Sequence, residues 1–356
     1  MIPLARPVVE DDDRRAVIAA LDSGMLVQGA RVATFEALLA EVIGVTDVVA
    51  VSSGTAALHL SLLALGTGPG HRVAVPAYSW PATANVVEAV GATPVFVDVD
   101  TQTYAMSQEG LDAAGPLDVV LPVHPFGQMA RMRTSSTVVE DAACALAARR
   151  DGHAAGTLGR AGCFSFHPRK AITTCEGGAV STNDPLLADR VRAWRNHGIA
   201  AGSSPTEFVL PGLNYRLTEM QAALGAAQLS KLARILASRR HQAATYDELL
   251  DGTGIQVPVV PPGSEPVYQS YVVLLPHGVS PSAVIAATRA NGVETQIGTW
   301  HIPLTRFYRE KYGFARGDFP GTDEVFARAL SLPLGLGLAE ADLKTVVAVL
   351  LEAVQR

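Results

Sequence analysis

Short runs of apolar, mostly β-branched residues alternate with helix-like patterns from about residue 48 onward. In order, these are VVAVSS, the helical pattern TAALHLSLLALG, RVAVPA, the helical pattern PATANVVEAVG, and TPVFVDVD. Strands that are apolar along their whole length are typical of a parallel sheet covered on both faces, because both sides of each strand then lie in the core. The pattern predicts an α/β protein whose mainly parallel central sheet is covered by helices.

The pattern continues toward the carboxyl terminus and then changes. Further strands are predicted at LDVVLPVHPFG, TVVEDAA, CFSFHP and GGAVSTND, the last two as a hairpin-like pair, and one long helix is predicted over residues 217–250. After the Pro- and Gly-rich segment GTGIQVPVVPPG, a smaller α+β unit ends in the helix EADLKTVVAVLLEAVQR. We therefore expect a large domain over residues 1–245 and a small C-terminal domain over residues 246–356.

Composition excludes several classes of protein. The chain of 356 residues is 48% hydrophobic and 17% charged. It has no run of the ~18 apolar residues that a membrane-spanning helix needs. Its first residues contain no apolar signal segment, so we expect a cytoplasmic protein. A net charge of −6 gives no footprint for nucleic acid. Three cysteines without a Cys-x-x-Cys spacing indicate neither a disulfide framework nor a metal site.

Lysine is rare in this chain, so each one can be weighed separately. Of the 28 Lys and Arg residues, only four are lysines: Lys170, Lys231, Lys311 and Lys344. Lys231 and Lys344 fit the polar faces of predicted helices, and Lys311 lies in a charged stretch, so a surface position explains all three. Lys170 instead follows the apolar run CFSFHP and precedes ITTCEGGAV. An amine in such a pocket is a usable nucleophile for carbonyl groups.

Polar residues also follow two predicted strands, where open α/β sheets bind ligands. Residues 52–56, Ser-Ser-Gly-Thr-Ala, open a predicted helix whose free N–H groups suit a phosphate; an ordinary N-cap is the alternative. Glu140 and Asp141 end the next such strand on opposite faces, so one can point into a site while the other caps or faces solvent. For Asp141, a site role and a helix N-cap both stay open. A phosphate cradle, a strand-end carboxylate and a lysine together match pyridoxal phosphate, with its phosphate, ring nitrogen and aldehyde.

Nine segments, in order and spacing, resemble the sugar aminotransferases of the DegT/DnrJ/EryC1/StrS family, which are fold-type I pyridoxal phosphate enzymes. They are IPLARP, FEALLAEVIGV, SSGTAALHLSLLALG, VPAYSWPATANVVEAVGATPVFVDVD, VHPFGQMA, VEDAACALAA, CFSFHPRKAITTCEGGAVSTND, RNHGI and GLNYRLTEMQAALGAAQLSKL. The resemblance implies that Lys170 is the Schiff-base lysine and that Asp141 pairs with the pyridine nitrogen. It also implies that the phosphate is bound by Gly54, Thr55, Ala56 and Ser165.

The resemblance assigns two further residues and shows three departures. Trp80 occupies the place where the family stacks a side chain on the cofactor ring, and Asn214 the place of a residue that reaches the phosphate of the neighbouring subunit. The active unit is then a homodimer with shared sites. Many members have Gln where this chain has Cys144 and Gly where it has Cys175, and the family's stretch ending in His ends here in Thr305.

The activity that the resemblance implies is transfer of an amino group from L-glutamate to a keto-sugar, with a nucleotide-linked deoxysugar as the expected acceptor and with Lys170 moving the proton. A sister group that removes a hydroxyl carries His in place of the lysine, so Lys170 argues against it. Two alternatives stay open. One is an aminotransferase acting on a keto-cyclitol or another antibiotic precursor. The other is a regulator that binds pyridoxal phosphate without catalysis.

Overall fold

The computed structural model describes residues 1–200 and 202–355. Its α-helices in chain order are α1 Asp11–Asp22, α2 Ala30–Ile43, α3 Gly54–Ala64, α4 Ala82–Ala89, α5 Gln108–Ala113, α6 Pro185–Arg195, α7 Glu219–Leu229, α8 Leu232–Leu250, α9 Pro281–Ala290, α10 Arg306–Tyr312, α11 Pro320–Arg328 and α12 Glu340–Val354. The strands are β1 Asp47–Val51, β2 Arg72–Pro76, β3 Tyr78–Ser79, β4 Thr93–Val97, β5 Val119–Val120, β6 Thr137–Asp141, β7 Arg149–Arg150, β8 His153–Ala154, β9 Ala161–Ser165, β10 Gly178–Thr182, β11 Ser264–Glu265, β12 Tyr271–Leu274, β13 Gln296–Ile297, β14 Trp300–His301 and β15 Ala329–Leu332.

A seven-stranded sheet forms the centre of the molecule, in the order β1-β10-β9-β6-β5-β2-β4. The pairs from β9 to β4 are parallel, whereas β10 runs antiparallel to both of its neighbours. The predicted mainly parallel sheet and the predicted pairing of CFSFHP with GGAVSTND are therefore confirmed. Because β10 is antiparallel to both β1 and β9, those two strands run in the same direction. The carboxyl end of β1 therefore lies at the same edge of the sheet as the carboxyl end of β9.

Helices cover both faces, as the uniformly apolar strands predicted. Along β1, Val49 and Val51 lie in one buried cluster and Val48 and Ala50 in another. The first cluster contains residues of α3, α4 and α6, and the second contains residues of α2, α7 and α8. Alternate side chains of a strand point to opposite faces, so one strand contributes to both clusters. In the described residues, every helix is too short or too polar to cross a bilayer.

The carboxyl-terminal part contains a second sheet, in the order β12-β15-β13. Side chains of its strands β12 and β15 are buried with residues of α8, α9 and α12 in a cluster of their own. The predicted terminal helix is present as α12. Because α8 continues to Leu250, a division of the chain at residues 245 and 246 falls inside a helix; the two-domain boundary stays a prediction.

The single helix predicted over residues 217–250 is wrong, because the chain turns between α7 and α8. Lys231 occupies this turn, and its Nζ lies 2.8 Å from Asp12 Oδ1 and 2.6 Å from Asp13 Oδ2 on α1. The surface position predicted for Lys231 is also wrong, since the residue is only 9% exposed. A helical pattern reports which residues are apolar, but it does not report an ion pair with a distant helix.

Cys175 has a backbone conformation that favours glycine. Its φ is +68°, in the left-handed region where a side chain costs ~1–2 kcal/mol. This is the position at which the sequence differs from the Gly that many members of the resembling family carry. The cost is local, because Cys175 is exposed and its N–H donates to Thr173 Oγ1 at 3.0 Å.

We therefore expect Cys175→Gly to raise the free energy of unfolding by about 1 kcal/mol, after the entropy that glycine adds to the unfolded chain is subtracted. Urea unfolding at fixed protein concentration measures it. Cys175→Ser is the matched control, since it removes the thiol and keeps the strain. Equal stability of the Gly and Ser variants would contradict the argument.

Candidate active site

The carboxyl ends of three strands meet at one edge of the central sheet. β6 ends at Asp141, β9 ends at Ser165, and β1 leads into α3 at Gly54. Asp141 lies opposite Cys163 in the pairing of β6 with β9. The rule that open α/β sheets bind ligands at the carboxyl ends of their strands, here called the strand-end rule, selected Asp141 and the segment around Gly54 from the sequence. The fold brings both to the same edge.

The amino terminus of α3 forms a tight cradle. Ser53 is its N-cap, and its Oγ accepts from the Ala56 N–H at 3.0 Å. A Cβ at Gly54 would lie 2.8 Å from Ser165 Cβ, so only glycine permits this approach. The N-cap interpretation is correct for Ser53. The N–H groups of Gly54 and Thr55 have no intrahelical acceptor, so the two interpretations are compatible, and phosphate binding there stays a prediction. The Ala56 N–H is already engaged.

Asp141 is a buried carboxylate, 6% exposed. Thr83 Oγ1 donates to its Oδ2 at 2.8 Å, and the Ala143 N–H donates to its Oδ1 at 3.2 Å. Burial raises the pKa of Asp141 above its usual value, and these hydrogen bonds offset the effect only in part. The segment after Asp141 is a pair of turns rather than a helix, so the helix N-cap alternative is wrong. A cation placed against this carboxylate would favour its ionised form.

Lys170 is half-buried in the loop between β9 and β10. Its Nζ lies 3.0 Å from Cys144 Sγ, which comes from the turn after Asp141. The amine therefore lies beside the turn that follows β6, the strand that ends at Asp141. By contrast, Lys311 and Lys344 are exposed and pair with Glu88 and Glu340, as their surface assignment predicted.

Glu140 points to the other face and is fully buried rather than solvent-facing. Its Oε1 accepts from the N–H groups of Leu158 and Gly159, at 2.6 and 2.9 Å. Its Oε2 accepts from the Gly156 N–H at 2.9 Å and contacts His124 Nε2 at 2.8 Å. Burial alone would raise the pKa of Glu140, but the His124 and backbone donors together hold it below its usual value.

His124 is fixed in one neutral tautomer by its two contacts. Its Nδ1 accepts from the Ala130 N–H at 3.1 Å, so the ring proton is on Nε2 and is donated to Glu140. The backbone N–H of His124 donates to the Asp141 carbonyl at 3.0 Å. The loop after β5 is thereby bound to both carboxylate-bearing residues.

Trp80 and Asn214 are both exposed. Trp80 is 64% exposed, and its carbonyl accepts from the N–H of Thr83, the residue that contacts Asp141. Asn214 does not cap the helix that follows, because Thr218 is the N-cap of α7; that alternative is wrong. The neighbouring Tyr215 carbonyl accepts from the Ser52 N–H at 2.9 Å, which places this loop beside the cradle of its own chain. The role of Asn214 across a dimer interface stays a prediction.

Sequence reasoning missed Thr83 and His124 as residues that hold the two carboxylates. The signal for Thr83 was present, since it lies in the first turn of the helix that follows Trp80. His124 follows a strand of the sheet, in the segment VHPFG, and the strand-end rule applied there would have found it.

The Glu140 network predicts a stability change. Glu140→Gln replaces one oxygen by an NH₂ group that faces two donors, and leaving buried donors unpaired costs about 2–4 kcal/mol of unfolding free energy. The lowered pKa gives the sign of the pH effect. The extra unfolding free energy of the wild-type protein is fully present above the usual pKa of a Glu side chain. It is lost as the pH falls through the lowered pKa of Glu140 in the folded protein.

Urea unfolding of both proteins at pH 7 and pH 4 measures the two effects. The gap in unfolding free energy should narrow at pH 4. Glu109→Gln, at an exposed position, should match wild type at both pH values. A gap that widens on acidification would refute the assignment of an ionised Glu140.

Comparison with known proteins gives a consistent result. Residues 7–351 match the model of the DegT/DnrJ/EryC1/StrS aminotransferase family. A GDP-perosamine synthase from Caulobacter vibrioides is 35% identical over 98% of this chain and 97% of its own. The solved aminotransferase TlmJ from Streptoalloteichus hindustanus has a TM-score of 0.91 and 31% identity, over 100% of this chain and 99% of its own. Spr1654 from Streptococcus pneumoniae, solved in a PLP-form, has a TM-score of 0.93 and 25% identity, over 99% and 98% of the two chains.

The edge of the sheet fits pyridoxal phosphate on its own geometry. The close approach of Gly54 to Ser165 makes a cradle that a Cβ would fill, Asp141 is a buried carboxylate, and the Lys170 amine lies at the same edge. The resemblance inferred from the sequence, the fold class and the cofactor are confirmed: the chain belongs to the DegT/DnrJ/EryC1/StrS aminotransferase family and is a pyridoxal phosphate-dependent aminotransferase.

Proposed function

We propose that this aminotransferase moves an amino group from L-glutamate to a keto-sugar, specifically a nucleotide-linked deoxysugar. The observation that carries the proposal is the Lys170 amine, held 3.0 Å from Cys144 at the edge where Gly54, Ser165 and Asp141 meet. The relative from Caulobacter vibrioides, a GDP-perosamine synthase by name, supports a nucleotide-linked acceptor.

Each residue has a defined task in this proposal. The N–H groups of Gly54 and Thr55 and the Ser165 hydroxyl bind the phosphate. Asp141 holds a proton on the ring nitrogen, and its burial makes that pairing strong because little water competes. Pyridoxal phosphate, when bound, supplies a ring that withdraws electrons from the reacting carbon. Lys170 Nζ is the amine that would hold the cofactor's aldehyde, and it would carry the proton on and off the reacting carbon.

The acceptor is tested by separating the two half-reactions. L-glutamate should convert the holoenzyme to its amine-loaded form, and a nucleotide-linked keto-sugar should return the starting absorbance in a single turnover. Borohydride reduction followed by peptide mapping should place the cofactor on Lys170. Lys170→Ala should lose both half-reactions, and a label on Lys231, Lys311 or Lys344 would refute the assignment.

One observation favours a second acceptor class, a keto-cyclitol. Thr305 replaces the histidine of the resembling family, and its hydroxyl donates to the Ile302 carbonyl at 2.7 Å. A substrate at this position would therefore meet a hydroxyl group that is already hydrogen-bonded, instead of an imidazole ring. The same single-turnover screen includes keto-cyclitols; return of the starting absorbance with these alone would favour this second function.

We further propose a homodimer in which Asn214 acts on the phosphate bound by the partner chain. Its exposure supports this, because a polar side chain at an exposed loop is free to reach across a two-fold interface. The competing arrangement is that Asn214 serves the adjacent cradle of its own chain.

Mixing subunits distinguishes the two arrangements. Asn214→Ala alone should be clearly impaired. A heterodimer of one Lys170→Ala chain and one Asn214→Ala chain should recover about half of wild-type activity if the site is shared, since both defects then fall in one site. The reciprocal control carries both changes in one chain beside a wild-type chain, and it should not recover. Recovery of the control and not of the first mixture would overturn the shared site.

A further inference from the structure

A cleft beside the lysine has not yet been given a function. It has a volume of about 130 Å³, and its lining includes Trp80, Trp300, Arg169 and Gln296. β14 pairs with β3 so that Trp300 lies opposite Ser79, which brings the two tryptophans to one opening. Both are unusually open for indole side chains, Trp80 at 64% and Trp300 at 42% exposure.

Arg169 connects this cleft to the site. It precedes Lys170 in the chain and also lines the narrow space on which Lys170 lies. Its backbone is fixed, because the N–H donates to His167 Nδ1 at 3.2 Å and the carbonyl accepts from Gln269. Arg169 is exposed, and among the described residues its guanidinium donates only to the neutral Gln296 Oε1, at 3.3 Å. Within residues 1–200 and 202–355, no carboxylate lies within the 4.0 Å ion-pair distance of it.

The size of the cleft limits what it holds. It is smaller than the ~300–1,000 Å³ that bury a whole drug-sized ligand, so a nucleotide-linked sugar fits only in part. The sugar ring of such a ligand would lie against the Trp300 indole, whose flat apolar face suits the C–H groups of a sugar. The remainder would extend past Arg169 to solvent.

We propose that Arg169 binds the diphosphate of the acceptor while Trp300 supports the sugar ring. This inference rests on the proposed function, and it adds the residues that select the acceptor. A guanidinium suits the task because its fork of donors matches phosphate oxygens. The protein as a whole carries a net charge of −6, so an anionic acceptor needs a local cation to bind. Gln296 orients the guanidinium without neutralising it.

Binding of a nucleoside diphosphate tests the inference without turnover. GDP, UDP and dTDP are titrated calorimetrically into the holoenzyme. Arg169→Gln should weaken the tightest of them at least about tenfold, and Arg169→Lys should weaken it less, since a point charge remains. Arg160→Gln is the matched control, because Arg160 precedes the same strand β9 at the opposite edge of the sheet and is 55% exposed. Equal affinity of wild type and Arg169→Gln, or no binding of any diphosphate by wild type, overturns the proposal.

The half-reactions separate this inference from the proposed function. In Arg169→Gln the glutamate half-reaction should be unchanged, while half-saturation by a nucleotide-linked keto-sugar should rise about tenfold at the same limiting rate. A free keto-sugar should show no Arg169 effect, whereas Trp300→Ala should weaken both sugars. A weakened glutamate half-reaction alone would assign Arg169 to the donor carboxylate and overturn the inference. Diphosphate binding that depends on Arg169, without amine transfer to any nucleotide-linked keto-sugar, would instead refute the proposed function.

Discussion

A buried carboxylate costs free energy unless its oxygens find donors, and Glu140 places one inside the central sheet. Its needs are met by three backbone N–H groups of residues 156–159 and by His124. One side chain therefore fixes two loops, and it does so from the position next to Asp141. The site carboxylate is held in place by its neighbour's hydrogen bonds as much as by its own.

Two glycines allow parts of the site to approach each other closely. A Cβ at Gly178 would lie 2.4 Å from the Ser53 carbonyl carbon, and one at Gly54 would lie 2.8 Å from Ser165 Cβ. β10, β1 and β9 are thus locked at the start of α3. Because these contacts are between backbones and short side chains, the N–H groups at the start of α3 have little freedom to move, and an anion that bound there would not have to order them first.

The sequence was sufficient for features that depend on periodicity and on strand ends. Uniformly apolar runs predicted a covered parallel sheet, and the residues after those runs included Gly54, Asp141 and Lys170 as candidates for one edge. Ser165 came only from the family resemblance. The sequence was not sufficient for features that depend on distant partners. The turn at Lys231 follows from carboxylates on α1, and the choice between a cap and a site at Asp141 required knowing that no helix follows it. An isolated pattern cannot report either fact.

The two halves of the site differ in what holds them. Asp141 and Ser165 end the paired strands β6 and β9 and are fixed by the sheet, and Lys170 lies in the loop that joins β9 to β10. The cleft that we propose for the acceptor depends on β14, a two-residue strand joined to β3 by the pairs Trp300–Ser79 and His301–Tyr78. Gly298 supports this junction, because a Cβ there would lie 2.3 Å from the Tyr78 hydroxyl. Tyr78 in turn accepts the Thr299 N–H at 3.1 Å. Ser79, the partner of Trp300, also lies 3.2 Å from Thr83 Oγ1, and Thr83 donates to Asp141 at 2.8 Å. The short strand is therefore connected to the buried carboxylate through two hydroxyl groups, although its own backbone pairs with β3 alone.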